Sequence, residues 1–95
     1  MAFHVYILAS RPGGALYVGL TDDLRRRVEQ HRAKAVAGHT ARYGVTRLVW
    51  FETHAERAAA AARERSIKRW RRAWKEALIL GINPDWRDFA SEIPL

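Results

Sequence analysis

Two short stretches near the start of the chain decide the fold: FHVYILA at Phe3–Ala9 and ALYVG at residues 15–19. Both are rich in the β-branched and aromatic residues that favour strands. The five residues between them, SRPGG, contain a proline and two adjacent glycines, a composition typical of a turn. We therefore predict that the chain begins with a β-hairpin.

The predicted hairpin brings two tyrosines onto one face of the sheet. With a loop of residues 11–14, Leu8 faces Tyr17 and Tyr6 faces Gly19. Because side chains alternate along a strand, Tyr6 and Tyr17 then share a face. Gly19 has no side chain and leaves open space opposite Tyr6. The shared face depends on this register, and many strand tyrosines serve only in cross-strand packing.

A helix is predicted after the hairpin. Thr21 is the expected N-cap, and Asp22 and Asp23 fall in the first turn, where the helix dipole favours acids. The helix should run to about Lys34, and residues 38–44 should form a loop.

The second half of the chain indicates a strand and then a long helix. RLVWFE at residues 47–52 has strand composition, and Thr53 with Glu56 forms a capping-box pattern. The helix should continue to Leu80, and its length leaves a bend near residues 69–72 open. The expected fold is α+β, a small three-stranded antiparallel sheet flanked by helices in the order β-β-α-β-α-α.

Length and composition limit the class of protein. The chain has 95 residues, of which 48% are hydrophobic, and this suits a single domain over residues 1–95. It has no cysteine, which excludes a disulfide framework, a thiol nucleophile and a zinc–thiolate site. No segment approaches the ~18–20 continuous apolar residues of a membrane span. We expect a cytoplasmic protein with no membrane partner.

Basic residues dominate the charge, with 17 Lys and Arg against 10 Asp and Glu and a net charge of +7. Residues 63–75 carry seven bases and one acid, and residues 25–34 carry five bases and one acid. Two poorly neutralised runs on different helices are typical of a surface that follows phosphates. We therefore predict nucleic acid as the partner, bound by Arg25, Lys68, Arg69, Arg71 and Arg72.

Polar side chains interrupt two apolar helix stripes. One stripe has the i, i+3, i+4, i+7 spacing of core-facing residues and consists of Leu24, Arg27, Val28 and His31. Arg27 and His31 either lie at its edge and reach water or are held inward over the sheet. Glu64 falls on the apolar arc of the long helix, where Lys68 at i+4 offers an ordinary surface salt bridge.

The aromatic and histidine residues add two smaller predictions. Trp70 and Trp74 are four residues apart and are predicted to pack in the core rather than to stack on bases. His4, His39 and His54 have no ligand spacing, so no multi-histidine metal site is expected.

Taken together, HVY at residues 4–6 and YVG at residues 17–19 resemble the two signature tripeptides of GIY-YIG nucleases. In LTDDLRRRVEQH, Arg27 and His31 match the arginine and histidine that the family places four residues apart. RERSIKRW is similar to the segment that holds the family's metal-binding glutamate, which falls on Glu64. The resemblance runs from about residue 3 to residue 89, although only Tyr6 carries over from the first tripeptide.

The resemblance implies an endonuclease that hydrolyses phosphodiesters, most of all in DNA, with one Mg²⁺ or Mn²⁺ held by Glu64 and no organic cofactor. Arg27 would stabilise charge on the phosphate. Tyr6, Tyr17 or His31 would act as the base, and the residues alone leave that choice open. Two alternatives remain: a non-catalytic DNA- or RNA-binding module of the same fold, and a small basic protein that docks on a ribonucleoprotein or protein partner.

Overall fold

The computed structural model describes residues 2–33 and 44–93. Its centre is an antiparallel three-stranded sheet in the order β2-β1-β3. The strands are β1 (Phe3–Ala9), β2 (Leu16–Thr21) and β3 (Arg47–His54). The helices are α1 (Leu24–Arg32), α2 (Arg57–Arg69) and α3 (Arg72–Ile82), followed by a 3₁₀ turn at Ala90–Glu92. The α+β class and the element order are as predicted.

Apolar clusters cover both faces of the central strand. Tyr6 and Leu8 lie on one face with residues of α1. Val5 and Ile7 lie on the other face with residues of α2 and α3. This division follows from the alternation of side chains along β1, which has neighbours on both sides and helices above and below. The sheet is thus a rigid support for whatever projects from its two faces.

The hairpin has the predicted register. Leu8 pairs with Tyr17 and Tyr6 pairs with Gly19. The Ser10 amide donates to the Ala15 carbonyl at 3.0 Å and closes the turn. β2 continues beyond the predicted residue 19 to Thr21, because the ladder with β1 continues to that point.

The start of α1 differs from the prediction by two residues. The N-cap is Asp23, whose Oδ1 accepts the Arg26 amide at 3.2 Å. Thr21 belongs to β2, and its hydroxyl accepts the Asp23 amide at 3.0 Å. Both side chains can cap, and the strand ladder decides between them. The helix ends at Arg32, and Lys34 and residues 38–43 of the predicted loop lie outside the described residues.

The capping box predicted before α2 is wrong. Thr53 lies inside β3, and its hydroxyl forms a 3.0 Å hydrogen bond with Nδ1 of His4 across the sheet. α2 begins at Arg57, and the N-cap Glu56 makes no side-chain capping bond. Pairing of β3 with β1 therefore replaces the local cap.

The long helix breaks at the bend that the sequence left open. Trp70 and Arg71 adopt extended backbone, with ψ of 150° and 153°. The Arg72 guanidinium donates to the Gly13 carbonyl in the hairpin turn at 3.0 Å and fixes the start of α3. α3 then ends at Ile82, two residues beyond the predicted end at Leu80.

The break overturns the core prediction for Trp74. This side chain is 54% exposed, and its ring lies edge-on to Trp70 at 6.1 Å. Trp70 packs partly against the core, as predicted. The two residues belong to one stripe only if the helix is continuous, and the break turns Trp74 outward.

The C-terminal segment is tied to the sheet through Asn83. Its buried amide nitrogen donates to the carbonyls of Val49 at 3.0 Å and Arg87 at 2.8 Å. Trp86 is buried against the body of the protein. Within residues 2–33 and 44–93, no helix has the length and apolar character needed to span a membrane.

Candidate active site

Three of the predicted site residues form an aromatic cluster between the hairpin and α1. Ring centres lie 6.2 Å apart for Tyr6 and Tyr17, and 5.2 Å apart for Tyr17 and His31. Tyr6 and His31 are fully buried. The Tyr6 hydroxyl and Nε2 of His31 are hydrogen bonded at 3.1 Å. Of the two positions that the α1 stripe left open for His31, the structure shows the inward one.

Gly19 makes room for the Tyr6 ring. A Cβ atom at position 19 would overlap Cζ and the hydroxyl oxygen of Tyr6 and would lie 2.8 Å from its Cε1. The ring is fully buried in a close-packed core, so a shift that relieves the overlap would disturb its neighbours. The glycine is thus required by a side chain of the neighbouring strand.

Burial and charge keep the Tyr6–His31 pair neutral at pH 7. Burial lowers the pKa of His31 below its usual 6.5, and the positive charge of Arg27 lowers it further. Burial raises the pKa of Tyr6 from 10.0 to about 12, against the opposing effect of Arg27. The phenol is therefore protonated, the imidazole is neutral, and one hydrogen bond joins them.

Arg27 lies beside this pair, one helical turn before His31. Its Nη1 donates to the Gln30 side-chain oxygen at 3.2 Å. Interaction with the Tyr6 hydroxyl raises the pKa of Arg27, so the guanidinium is always charged. Unlike His31, Arg27 is only partly buried. A cation in this position can contact both the cluster and a ligand.

Glu64 approaches from the other face of the sheet. It lies on α2 between Ala60 and Ile67, which are both buried, and its own side chain is 19% exposed. Lys68 Nζ lies 3.3 Å from its carboxylate, the salt bridge expected from the i, i+4 spacing. The charge of Glu64 is among the causes that raise the pKa of Tyr6. α2 packs against the edge strand β2, so Glu64 lies close enough for its charge to act on Tyr6.

A cleft of about 630 Å³ opens beside Arg27. Its walls come from the first turns of α1 and α2 and from the paired ends of β1 and β2. The lining residues are Phe3, Leu20, Thr21, Asp22, Asp23, Arg26, Arg27, Gln30 and Arg57. Sequence reasoning missed Arg26, Gln30 and Arg57. The available signal was the seven-residue spacing of Arg57 and Glu64, which places both on one face of α2.

The five residues predicted to bind nucleic acid have different surroundings. Arg25 donates to the Ile93 carbonyl at 3.2 Å, and Arg72 binds the hairpin turn, so both also hold the fold. Lys68 pairs with Glu64. The other two, Arg69 and Arg71, are exposed, and the Arg71 guanidinium lies 5.6 Å from the Trp74 ring centre.

The donor set around Glu64 limits which metal it could bind. No group of three or more His, Cys, Asp or Glu that could hold an ion occurs among the described residues. A zinc-type cage of protein ligands is therefore absent from that part of the chain. Mg²⁺ usually keeps several waters and takes one or two carboxylates together with substrate phosphates. The single half-buried carboxylate of Glu64 fits that mode of binding.

Paired strand tyrosines, an inward histidine, a neighbouring arginine and a glutamate on the second helix are the residues through which the sequence resembles GIY-YIG domains. The chain belongs to the GIY-YIG family, because the model of the GIY-YIG catalytic domain matches residues 2–77.

Its relatives of similar length are UPF0213 proteins. It is 33% identical over 92 residues to the UPF0213 protein of Clostridium perfringens, covering 97% of this chain and 98% of that one. It is 36% identical over 76 residues to a UPF0213 protein of Haloquadratum walsbyi, covering 80% and 85%. The solution NMR structure of a UPF0213 protein from Bacillus halodurans matches it with a TM-score of 0.57 and 30% identity, covering 90% of each chain.

Proposed function

We propose that this protein is a metal-dependent endonuclease that hydrolyses phosphodiester bonds in nucleic acid, with DNA as the favoured substrate. The observation that carries the proposal is the buried Tyr6–His31 hydrogen bond next to Tyr17 and the charged Arg27. Packing fixes these groups before a substrate arrives, and preorganised polar groups stabilise a developing charge best. The net charge of +7 favours a polyanionic substrate.

Arg27 is assigned to the phosphate. Within the described residues it makes no salt bridge, and its donor to Gln30 leaves further N–H groups for a ligand. Its planar fork can contact two non-bridging oxygens at once, where negative charge grows in the transition state.

Tyr6 and His31 are assigned to proton transfer. A phenol with a pKa of about 12 is not ionised at neutral pH and is a poor base by itself. Its hydroxyl can nevertheless take a proton from an attacking water while it passes its own proton to the neutral His31 ring, 3.1 Å away. Tyr17, whose ring contacts both, is assigned to positioning the water or the phosphate.

Glu64 is assigned to a divalent cation, Mg²⁺ or Mn²⁺. The cation, when bound, would supply Lewis-acid stabilisation of the phosphate and the leaving oxygen. Lys68 occupies the same carboxylate at 3.3 Å in the free protein. The two positive groups therefore compete for Glu64.

The test is a panel of labelled duplex, branched and single-stranded DNA and RNA, incubated with Mg²⁺, with Mn²⁺ or with chelator. Arg27→Ala should slow cleavage by about 10²–10³-fold, as for other preorganised donors. Glu64→Gln should lose activity and recover part of it at high metal concentration. Arg87→Ala is the control, because Arg87 is exposed, pairs with Glu92 and does not line the cleft. Wild-type protein that binds the panel but cuts nothing would instead favour a non-catalytic binding module.

A further inference from the structure

The cleft beside Arg27 has features that the catalytic cluster does not use. Arg26 of α1 and Arg57 of α2 both line it, although they are far apart in sequence. The Arg57 guanidinium carbon lies 5.9 Å from the centre of the Phe3 ring, which supports it from below. Two helices and a strand thus bring two further cations to one opening.

The cations of the cleft are not neutralised by salt bridges. Within residues 2–33 and 44–93, Arg26, Arg27 and Arg57 make none, whereas Arg63 and Arg72 are paired with carboxylates. The cleft contains two acids, Asp22 and Asp23. Asp23 is already used as the N-cap of α1, where it accepts the Arg26 amide at 3.2 Å. Three guanidinium groups against two carboxylates leave a net positive opening, and the first turn of α1 adds the positive end of its helix dipole.

We infer that this cleft is a phosphate-binding subsite, in which Arg26 and Arg57 hold a backbone phosphate of the nucleic-acid strand next to the one contacted by Arg27. The inference rests on the proposed function. The volume of about 630 Å³ is within the range of small-molecule pockets and exceeds what a single phosphate needs. A nucleotide of the strand therefore suits the cleft better than a free phosphate does.

The position of the subsite sets the path of the strand. Arg57 lies over Phe3, and the adjacent His4 pairs with Thr21, so the cleft is at the Thr21 end of β2. Arg72 binds Gly13, so the basic junction of α2 and α3 is at the hairpin end. The nucleic-acid strand then runs along the edge of β2, with basic side chains on both sides of the phosphodiester bond to be cut.

The experiment measures binding and cleavage separately. Affinity for a short fluorescein-labelled DNA is measured by anisotropy in EDTA over a range of salt concentrations, and kcat and KM are measured with Mg²⁺. Arg26→Ala and Arg57→Ala should each raise Kd roughly tenfold. Each should reduce the salt slope by less than about 0.9 and the double variant by about 0.9, because the two side chains neutralise one phosphate between them. Each should raise KM and leave kcat within about twofold, because binding to ground state and transition state falls equally.

Arg87→Ala is the matched control, since it removes the same charge outside the cleft. Arg57→Lys should restore part of the affinity, and thermal melting checks that every variant folds. The double variant should lose less than the product of the two single losses, because both side chains hold one phosphate. Arg57→Ala with the same Kd as Arg87→Ala would overturn the subsite even if the protein cleaves DNA. Wild-type protein that binds but does not cleave would refute the nuclease, while a raised Kd for Arg57→Ala would still support the subsite.

Discussion

Removal of one hydroxyl from the cluster should cost measurable stability. Tyr6 and His31 are both fully buried, and their 3.1 Å hydrogen bond joins two neutral groups. Tyr6→Phe keeps the ring and removes the hydrogen bond to the imidazole nitrogen. Deleting one side of a buried hydrogen bond in this way costs about 1–3 kcal/mol. We expect the free energy of unfolding of Tyr6→Phe to fall by that amount at pH 7, and the melting temperature to fall by at least about 4 °C.

Tyr17→Phe is the matched control for this prediction. Tyr17 is only partly buried, so water can take the place of its hydroxyl as a hydrogen-bonding partner, and the expected loss of stability is below about 0.5 kcal/mol. Urea denaturation and thermal melting, both followed by circular dichroism, provide the comparison. A Tyr6→Phe midpoint equal to wild type, or a larger loss for Tyr17→Phe, would refute the reasoning from the buried hydrogen bond.

Three other predictions concern charge. The pKa of His31 is lowered in the folded protein. As the pH falls below about 6.5, the unfolded chain therefore binds more protons than the folded one. The contribution of His31 to the free energy of unfolding is thus present above pH 6.5 and is lost as the pH falls. An NMR titration of the His31 ring should give a midpoint below 6.5, and Arg27→Gln should raise it; an unchanged midpoint would contradict the effect of the guanidinium. Lys68→Gln should lower the Mg²⁺ concentration needed for half-maximal cleavage, because it removes the competitor for the carboxylate; a higher requirement would count against a metal at that position. Arg72→Ala should lower the melting temperature because it releases the hairpin turn. Arg69→Ala should weaken DNA binding and leave the melting temperature unchanged. Equal melting temperatures for the two variants would contradict the structural role of Arg72.

The site is predictable from sequence where one local pattern fixes geometry. The turn length and the alternation of side chains determine that Tyr6 pairs with Gly19, because a slip of one residue would expose the apolar side of the hairpin. Helical spacing likewise turns His31 toward the sheet. Helical spacing placed Glu64 on the apolar arc of the long helix, and only the resemblance to GIY-YIG nucleases added the expectation that it binds a metal.

The remaining features depend on contacts between distant segments. Thr53 has a good capping pattern, but its pairing with His4 in the sheet excludes the cap. Trp74 is placed by a break in the helix whose position follows from the contact between Arg72 and the hairpin turn. Arg57 becomes a cleft residue only because α2 packs with its first turn over Phe3. The first two contacts leave no periodic trace in the sequence, and the spacing of Arg57 and Glu64 indicates only that they share a face of α2.

The close approach of Gly19 to the Tyr6 ring makes the two positions genetically dependent on each other. Gly19→Ala alone overpacks the core and should cost about 1–3 kcal/mol. After Tyr6→Ser, the same alanine enters vacated space and should improve a strand position that glycine weakens. Gly19→Ala thus destabilises the protein when Tyr6 is present and stabilises it when Tyr6 has been replaced. The two positions can therefore change without loss of stability at the glycine only if the tyrosine is replaced first. In another hairpin, the tripeptide with Tyr6 would clash with any side chain opposite the ring, and the tripeptide with Gly19 would leave a void where the ring is missing.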